Sequence, residues 1–303
     1  SRLSFKENTA VSIGVFDGVH LGHLSLFNKL LEVSRKEHLK SVALTFFPHP
    51  REVLAPDIKI PYLTAPVFKA KLLKEIGINS VITLLFDRQT ASLSARDFAV
   101  MLRNYFKMRV LIIGPDFTLG KDRLGDAPAL RALGEELGFT LYVMPPFILN
   151  GEEISSTTIR KALRQGDIAK VHRLSGRYFR LDGYVITGEG RGASLGFPTA
   201  NLDVAEGQAL PADGVYAACA YLEGKPLAAL VNIGKRPTFG KGERTTEVYI
   251  VDYCENIYGK ELKVDIIEHL RPEICFNSTA ELKKQIDIDL KKGKVILSNK
   301  GVI

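Results

Sequence analysis

Residues 14–23 read GVFDGVHLGH and directly follow a short apolar run. His20 and His23 lie three residues apart with Gly22 between them, where apolar residues at helical spacing begin. If a helix starts near Gly22, both imidazoles and free backbone N–H groups gather at its positive end, which favours a bound phosphate. We interpret the stretch as a nucleotidyl-transfer site, where imidazole N–H donors stabilise charge on phosphoryl oxygens. The alternative is a surface turn with incidental histidines, although the chain has only 6 of them.

The first half of the chain alternates between short apolar runs and helical patterns. The predicted strands are residues 12–16, 41–47, 80–86, 109–113 and 140–144, and the predicted helices are residues 22–38, 66–76, 94–106, 126–137 and 155–165. This alternation predicts an α/β, Rossmann-like parallel sheet covered on both faces. Ligands bind such sheets at the carboxyl ends of the strands, where the histidine motif falls.

After Gly176 the pattern changes to successive strands separated by glycine and proline turns. These strands are residues 178–186, 215–222, 228–233, 246–253 and 261–270. They predict a small antiparallel β-barrel or sandwich, closed by a C-terminal helix that Ser278 caps. In this helix we expect Leu282, Ile286 and Leu290 to form the buried stripe. We therefore predict two domains, residues 1–173 and residues 177–303.

Composition narrows the class of protein. The 303 residues include 46% hydrophobic residues, 3 cysteines and a net charge of +7. The few, widely spaced cysteines argue against a disulfide framework, and no apolar run approaches the roughly 18 residues of a membrane helix. The first residues do not resemble a signal peptide, so we expect a cytoplasmic protein. Basic residues are spread among acidic ones, which favours small anionic ligands over nucleic acid as partners. Weak self-association is left open.

Three further stretches of the first half follow predicted strands or begin a predicted helix. Residues 154–160, ISSTTIR, place hydroxyl groups at a helix start and Arg160 one turn later, which suits phosphate oxygens, although an ordinary N-cap is equally consistent with them. Residues 114–125, GPDFTLGKDRLG, are not a P-loop, because five residues separate Gly114 from Gly120 and Asp122 follows Lys121. Both this loop and His49 in a proline turn are expected at the ligand edge.

Two features of the second half carry candidate chemistry. Residues 188–201, GEGRGASLGFPTAN, combine glycines, which allow the backbone to approach phosphate closely, with Arg191 and with neutral oxygen donors on Thr199 and Asn201. Those donors suit Mg²⁺, and the absence of histidine and cysteine argues against zinc. A long glycine hairpin is the alternative. Alternation in TEVYIVDY places Glu247 and Tyr249 on one strand face. On an inward barrel face Glu247 could serve as a general base, although an exposed strand glutamate is the simpler interpretation.

Taken together, these stretches resemble the family of bifunctional bacterial riboflavin kinase/FMN adenylyltransferases, or FAD synthetases. In the first half the resemblance is carried by GVFDGVHLGH, FFPHP, GPDFTLGKDRLG and ISSTTIR. In the second half it is carried by residues 176–202, NIGKRPTF from Asn232, TEVYIVDY, YGKELKV from Tyr258 and LRPEICF from Leu270. The resemblance covers nearly the whole chain, and Leu119 departs from it where phenylalanine is common.

The resemblance implies roles for individual residues. His20 and His23 would bind the ATP phosphates and stabilise the α-phosphoryl transition state. The other adenylyltransferase nucleotide contacts would be Gly14, Phe16, Asp17, Gly22, Asp116, Ser155, Ser156, Thr157 and Arg160. The kinase nucleotide contacts would be Gly188, Gly190, Arg191, Gly196, Pro198 and Thr199. Thr199 and Asn201 would hold Mg²⁺, Arg271 and Phe276 would bind flavin, and Glu247 would be the general base after all.

The implied function is two successive ATP-dependent reactions. The second domain would phosphorylate riboflavin to FMN, and the first would adenylylate FMN to FAD with release of pyrophosphate. One alternative is another adenylyltransferase, for pantetheine phosphate or nicotinamide mononucleotide, joined to a ligand-binding barrel. A second alternative is an RNA-binding module, but the sequence has no basic-aromatic stripe to support it.

Overall fold

The computed structural model describes residues 5–188, 192, 196–235 and 244–302. The chain divides into two compact units, Ser1–Ser156 and Thr157–Ile303.

The first unit alternates strands and helices along the chain. Its strands are β1 (Thr9–Ile13), β2 (Lys40–Phe47), β3 (Ser80–Leu85), β4 (Met108–Ile113), β5 (Thr140–Val143), β6 (Ile148–Leu149) and β7 (Glu152–Glu153). Its helices are α1 (Leu21–Lys36), α2 (Pro50–Leu54), α3 (Pro66–Glu75), α4 (Arg88–Ser92), α5 (Ala95–Phe106) and α6 (Ala127–Leu137). Helix α7 (Ser156–Arg164) begins at Ser156, the last residue of the first unit, and continues into the second.

A parallel sheet forms the centre of this unit, as predicted. Within the described residues it has five strands in the order β3-β2-β1-β4-β5. Every residue of β1 is buried, and separate apolar clusters cover the two faces of the sheet, one including Leu102 and Leu111 and the other Phe27 and Ile112. Since the strands are parallel, the loops that follow β1, β2 and β4 lie at one carboxyl edge.

Short elements of this unit were not predicted. Helices α2 and α4 each have five residues, and β6 and β7 pair as a two-residue hairpin. Such elements are too short to show a helical or strand period in the sequence. Helix α2 is instead started by Pro50 and by His49, whose side chain accepts a hydrogen bond from the N–H of Arg51.

The second unit is a closed antiparallel barrel with a long C-terminal helix, which confirms the predicted architecture. Its strands within the described residues are β8 (Phe179–Ile186), β9 (Ala200–Val204), β10 (Gly214–Leu222), β11 (Lys225–Lys235), β12 (Arg244–Ile250) and β13 (Glu261–Arg271). Its helices are α8 (Ile168–Ser175) and α9 (Thr279–Asn299). Strand β9 was not predicted because it follows a polar, glycine-rich stretch, and β12 ends at Ile250, two residues before Asp252, whose φ is 56°.

Helix α9 begins after Ser278 as predicted, and the predicted stripe faces the barrel, but its residues are less buried than expected. The side chains of Asp289 and Leu297, together with Gly293, are the buried positions, whereas Leu282, Ile286 and Leu290 are half-buried. Gly293 allows the helix to approach the barrel, because a Cβ there would lie 2.9 Å from a methyl carbon of Leu230. Leu282 and Ile286 line a cavity, which leaves them partly uncovered.

The segment before Gly176 packs with the barrel. Helix α8 contacts β8 and β13, the ring of His172 stacks on that of Tyr178 at 4.3 Å, and the N–H of Ala212 donates to the carbonyl of Leu163. The compact unit therefore begins about twenty residues before the domain boundary that we expected near residues 173–177. That residues 177–303 fold on their own stays a prediction.

We expect a fragment of residues 157–303 to be more stable than one of residues 177–303. The shorter fragment loses Val171 and Leu174, which are fully buried and contribute roughly 1.5–3 kcal/mol each. Its melting temperature should be lower by several degrees or more, since about 1 kcal/mol corresponds to roughly 2–8 °C for domains of this size. Circular dichroism melts of both fragments measure this difference. Equal melting temperatures would support the boundary at residues 173–177.

Candidate active sites

The histidine motif lies where α1 begins at the carboxyl edge of the parallel sheet. His20 is the N-cap residue, and its Nδ1 accepts a hydrogen bond from the backbone N–H of His23 at 3.4 Å. The two imidazole rings stack with their centroids 3.7 Å apart, and the edge of Phe16 packs against His23 at 5.4 Å. Both imidazoles therefore lie together at the positive end of a sixteen-residue helix, as the sequence predicted.

Two residues of the same loop have buried side chains. Phe16 is 3% exposed and packs against Phe27, with ring centroids 4.8 Å apart. Asp17 is 2% exposed, and its carboxylate accepts hydrogen bonds from the backbone N–H groups of Leu63 and Thr64 at 3.0 and 3.2 Å. The geometry therefore gives these two side chains a supporting position beneath the site rather than an open one.

The second phosphate-binding candidate meets the first through Ser156. The Ser156 hydroxyl, at the start of α7, donates a hydrogen bond to the backbone carbonyl of Asp17 at 2.8 Å. Gly22 lies close to the chain just before α7, because a Cβ there would be 3.5 Å from the carbonyl oxygen of Ile154. Residues 139 positions apart in the chain are thereby joined. Ser155 directly precedes α7, and Thr157 and Arg160 follow in its first turns.

Other sequence candidates lie on loops at this edge. Asp116 is exposed in the turn after β4, the strand beside β1. Leu119, where an aromatic residue was expected, is instead part of the core. Phe47 is 44% exposed at the end of β2, and the backbone N–H of His49 donates to the Tyr62 hydroxyl at 3.1 Å.

Tyr62 ties the loop after β2 to the segment before α3. Its hydroxyl donates to the Glu52 carboxylate at 2.9 Å, and the N–H of Ile60 donates to the same carboxylate at 3.0 Å. Burial raises the pKa of Tyr62 to about 12, so its hydroxyl stays protonated at neutral pH. Burial opposes ionisation of Glu52, but the bonds from Ile60 and Tyr62 outweigh it and lower the pKa of that carboxyl. The hydrogen bonds of Tyr62 and Glu52 therefore connect the loop after β2 with the segment before α3.

The second unit contains a cavity of about 380 Å³ between the barrel wall and α9. Four of the residues assigned to kinase chemistry line it: Thr199, Glu247, Arg271 and Phe276. The structure thus brings together four predicted site residues from β12, from β13 and from the loops beside these strands. The remaining wall includes Phe197, Leu230, Tyr249, Leu282 and Ile286, which make most of the lining apolar.

Glu247 does not face the interior of the barrel. Val248 and Ile250, on the alternate face of β12, are 0% and 4% exposed, so theirs is the face turned into the barrel. Tyr249 packs instead in the cluster that includes Leu290 on α9, and Glu247 shares its face. The general base inferred for an inward face therefore lies on the outer wall, where α9 covers the cavity. Glu247 is paired in register with Asn232 on β11 and with Asn201 on β9.

Arg271 is fixed by the C-terminal helix. Its Nε donates to Asp289 at 2.9 Å, and the guanidinium lies over the ring of Phe276 at 5.8 Å. Asp289 is 3% exposed and also accepts a hydrogen bond from Gln285 at 2.9 Å. A buried carboxylate, which was not predicted from the sequence, therefore holds the guanidinium that lies beside Phe276 in the cavity wall.

Thr199 lies between this cavity and a second one of about 220 Å³, which Pro198 and Tyr258 also line. Asn201 is 8% exposed, and Gly188 approaches it so closely that a Cβ at position 188 would lie 1.8 Å from its amide nitrogen. This contact explains the glycine at that position. Gly196 is exposed with a φ of 86°. Gly190 and Arg191 lie outside the described residues.

Two further cavity residues were missed in the sequence. Asn232 and Glu273 both line it, and Asn232 donates a hydrogen bond to the Glu273 carboxylate. Burial, with added repulsion from Asp213, raises the pKa of Glu273 above the ordinary value for glutamate. Both residues stand in the NIGKRPTF and LRPEICF stretches, but nothing in their spacing showed that the two stretches meet.

Among the described residues, no helix is both long enough and apolar enough to cross a membrane. In the same part of the chain, no cluster of three or more histidine, cysteine, aspartate or glutamate side chains is arranged to hold a metal ion.

Comparison with known proteins covers both units. A family model described as FAD synthetase matches residues 3–158, and one described as riboflavin kinase matches residues 175–297. The bifunctional riboflavin kinase/FMN adenylyltransferase of Escherichia coli K12 is 37% identical over 286 residues, covering 94% of this chain and 91% of that protein. The Haemophilus influenzae protein of the same description is 34% identical, covering 97% of this chain and 96% of its own.

A solved structure extends the likeness to the fold. The crystal structure described as a macrolide-efflux protein from Streptococcus pneumoniae is 30% identical, with a TM-score of 0.87, and the match covers 96% of this chain and 95% of that one. The two family models match the two halves of the chain, and the relatives match it over nearly its whole length. Both findings agree with the motifs at the two sites. The chain belongs to the family of bifunctional riboflavin kinase/FMN adenylyltransferases.

Proposed function

We propose that the second unit transfers the γ-phosphate of ATP to riboflavin, and that the first unit then adenylylates the resulting FMN to FAD. The single observation that carries this proposal is the shared cavity of Glu247, Thr199, Arg271 and Phe276, which combines a carboxylate, a hydroxyl, a cation and an aromatic ring. Its apolar walls suit a flat isoalloxazine ring system, and its polar end suits a phosphate acceptor.

In the kinase reaction, the ribityl 5′-hydroxyl of riboflavin attacks the γ-phosphorus of ATP and ADP leaves. Glu247 accepts the proton of that hydroxyl, a role supported by its place in the lining of the cavity. Arg271 and Phe276 bind the flavin, and Asp289 keeps the guanidinium in place at 2.9 Å. Thr199 lies where the two cavities meet, so ATP in the smaller cavity would direct its terminal phosphate toward the flavin.

Mg²⁺ is the cofactor that we propose for the kinase site. The Thr199 hydroxyl and the Asn201 amide oxygen are neutral oxygen donors, and they fit a cation that keeps several water ligands and shares the phosphates of its nucleotide. Asn201 is paired in register with Glu247, so the proposed metal ligand and the proposed general base lie on neighbouring strands. When bound, the ion would neutralise charge on the transferred phosphoryl group.

In the adenylyltransferase reaction, a phosphate oxygen of FMN attacks the α-phosphorus of ATP and pyrophosphate leaves. His20 and His23 stabilise the charge that develops, and the N–H groups at the start of α1 add to the positive field. Ser156 keeps the start of α7 against the same loop. This contact supports roles in binding the triphosphate for Ser155, just before the helix, and for Thr157 and Arg160 in its first turns. Asp116 would contact substrate from the exposed turn after β4.

We further propose that the protein acts in the cytoplasm, without nucleic-acid partners. All three cysteines are free, and Cys254 and Cys275 are exposed, which suits a reducing compartment. Its partners would be the small molecules riboflavin, FMN, FAD and ATP, and weak self-association stays a prediction.

Incubation of the full chain with riboflavin, ATP and Mg²⁺ is expected to yield FMN first and FAD later, as separated by chromatography. Chelation of the metal with EDTA should abolish riboflavin phosphorylation, because the charge on the transferred phosphate is then uncompensated. Formation of FAD only from added FMN would refute the kinase assignment. Turnover of pantetheine phosphate or nicotinamide mononucleotide instead of FMN would favour the alternative adenylyltransferase.

A further inference from the structure

The loop between β1 and α1 has an unusual backbone. Phe16 has a φ of 51° and Val19 a φ of 37°. Positive φ is uncommon outside glycine and is an outlier for a β-branched residue such as Val19. Conformations of this kind persist only where the surrounding structure over-determines them. The contacts that hold the loop therefore control the placement of His20, which directly follows Val19.

Lys69 supplies such contacts from beneath the loop. It lies on α3 and is 4% exposed, and its Nζ donates to the backbone carbonyl of Val15 at 2.8 Å. The same ammonium donates to Thr45 Oγ1 at 3.0 Å, and the Thr45 hydroxyl donates to the Val15 carbonyl at 2.9 Å. Two donors thus hold the carbonyl that leads from β1 into the loop, and neither donor belongs to the histidine motif.

Packing does not account for a lysine at this position. A buried ammonium is unfavourable compared with an apolar side chain of the same length. Burial lowers the pKa of Lys69 to about 8, and the nearby carboxylate of Asp17 partly opposes that shift. Asp17 itself holds the backbone N–H groups of Leu63 and Thr64. Lys69 and Asp17 therefore anchor the same short loop at two points, one through a carbonyl and one through a carboxylate.

We propose that Lys69 is a positioning residue for adenylyl transfer, whose ammonium group holds the Val15 peptide so that the loop presents His20 and the amino end of α1 to the phosphates. This inference rests on the adenylyltransferase function proposed above. Lys69 acts through the loop, since its side chain is almost wholly buried. A displaced loop would still bind FMN but would align the reacting groups poorly, so the effect should fall on kcat.

The test is Lys69→Met in the full chain, which keeps the length of the side chain and removes its charge and donors. We expect kcat for FAD formation from FMN to fall about 10–100-fold, because a misplacement of about 1 Å can reduce the rate about 10²-fold. The KM for FMN should change by less than about threefold, since ground-state binding is retained. The matched control is Lys71→Met on the same helix, where the lysine is 62% exposed in its side chain and should not affect the rate.

Thermal stability separates positioning from a structural role. The pKa of Lys69 is about 8 in the folded chain against an ordinary 10.5, so burial of the ammonium destabilises the fold fully below pH 8 and progressively less up to about pH 10.5. The methionine variant should therefore melt no lower than the wild type at pH 7, with any advantage shrinking toward pH 10. If the variant melts at a lower temperature at pH 7 but keeps the wild-type kcat well below that temperature, Lys69 is a structural residue and the proposal is overturned.

A second variant decides the question if Lys69→Met fails to fold. Thr45→Val keeps the ammonium but removes the hydroxyl that is the second donor to the Val15 carbonyl and an acceptor for Lys69. We expect kcat for FAD formation to fall about 3–10-fold, as for loss of one hydrogen bond. A folded Lys69→Met protein with kcat within about twofold of wild type would refute the proposal. If that variant does not fold, unchanged kcat in Thr45→Val would refute it. A wild-type chain that makes no FAD would instead refute the adenylyltransferase function itself.

Discussion

Replacement of Glu247 by glutamine is expected to reduce riboflavin phosphorylation by about 10²–10⁴-fold, the usual loss when a general base is removed. Glutamine preserves the shape of the side chain on β12 but cannot accept the proton of the attacking hydroxyl. FAD formation from added FMN should remain near the wild-type rate, because that nucleophile is already a phosphate anion. Both rates are measured on one preparation by chromatographic separation of FMN and FAD.

The structure offers a matched control and a competitor for this experiment. The control is Glu268 on β13, whose carboxylate pairs with Lys300 at 3.1 Å. Among the described residues that line the cavity, Glu268 is not included. Glu268→Gln should therefore leave both rates unchanged. Glu273 lines the same cavity as Glu247. If folded Glu247→Gln keeps riboflavin phosphorylation within a few-fold of wild type, Glu247 is not the base and Glu273→Gln becomes the next variant.

Replacement of His23 by alanine is expected to reduce FAD formation from FMN by about 10²–10³-fold, as for the loss of one donor that stabilises transition-state charge. Riboflavin phosphorylation should stay close to wild type. This variant is cleaner than one at His20, because the hydrogen bond that caps α1 uses the backbone N–H of His23 and survives the change. The rates of the two reactions, followed separately, give the comparison.

A histidine at the other end of the same helix provides the control. His38 lies just beyond α1 with a φ of 54°, a conformation that asparagine also accepts, so His38→Asn should preserve both activities. Equal losses of both reactions in His23→Ala would show that the chain is misfolded or that one site serves both steps. An unchanged rate of FAD formation would remove His23 from the mechanism.

Local patterns predicted the elements that surround the active sites well. The apolar runs of β2 and β4 and the capped helices α5 and α6 were identified because each contains enough residues to show its period and its end signals. The first strand was predicted three residues too late, at residues 12–16 instead of Thr9–Ile13, because the apolar residues continue into the loop that follows it. The same reasoning missed α2, α4 and β9, which are held by contacts from elsewhere, such as the bond from His49 to Tyr62 beside α2. The predicted stripe of α9, Leu282, Ile286 and Leu290, does face the barrel and its cavity. Sequence reasoning missed Asp289 on this face because it is polar, yet it is buried through its ion pair with Arg271.

For the active sites, sequence motifs identified the types of chemistry but not how the side chains are arranged. His20 and His23 were placed correctly because their positions are set by three residues of one helix start. The orientation of Glu247 depended on which face of β12 meets α9, and alternation is symmetric between the two faces. The expected nucleotide contacts of Phe16 and Asp17 stay predictions, and what the sequence did not show is that both side chains are buried and that Asp17 holds the backbone of Leu63 and Thr64.

The sequence by itself determined the two-part architecture, the family and the two motif sets, because these depend on residue types at fixed spacings along the chain. Only the tertiary structure decided which distant residues support those motifs. Lys69 meets Val15 across 54 positions and Ser156 meets Asp17 across 139, and Arg271 meets Asp289 on a separate element. Such contacts follow from how strands order and helices pack, and no local period in the chain encodes them. The residues that position the active sites are therefore visible only in the folded protein.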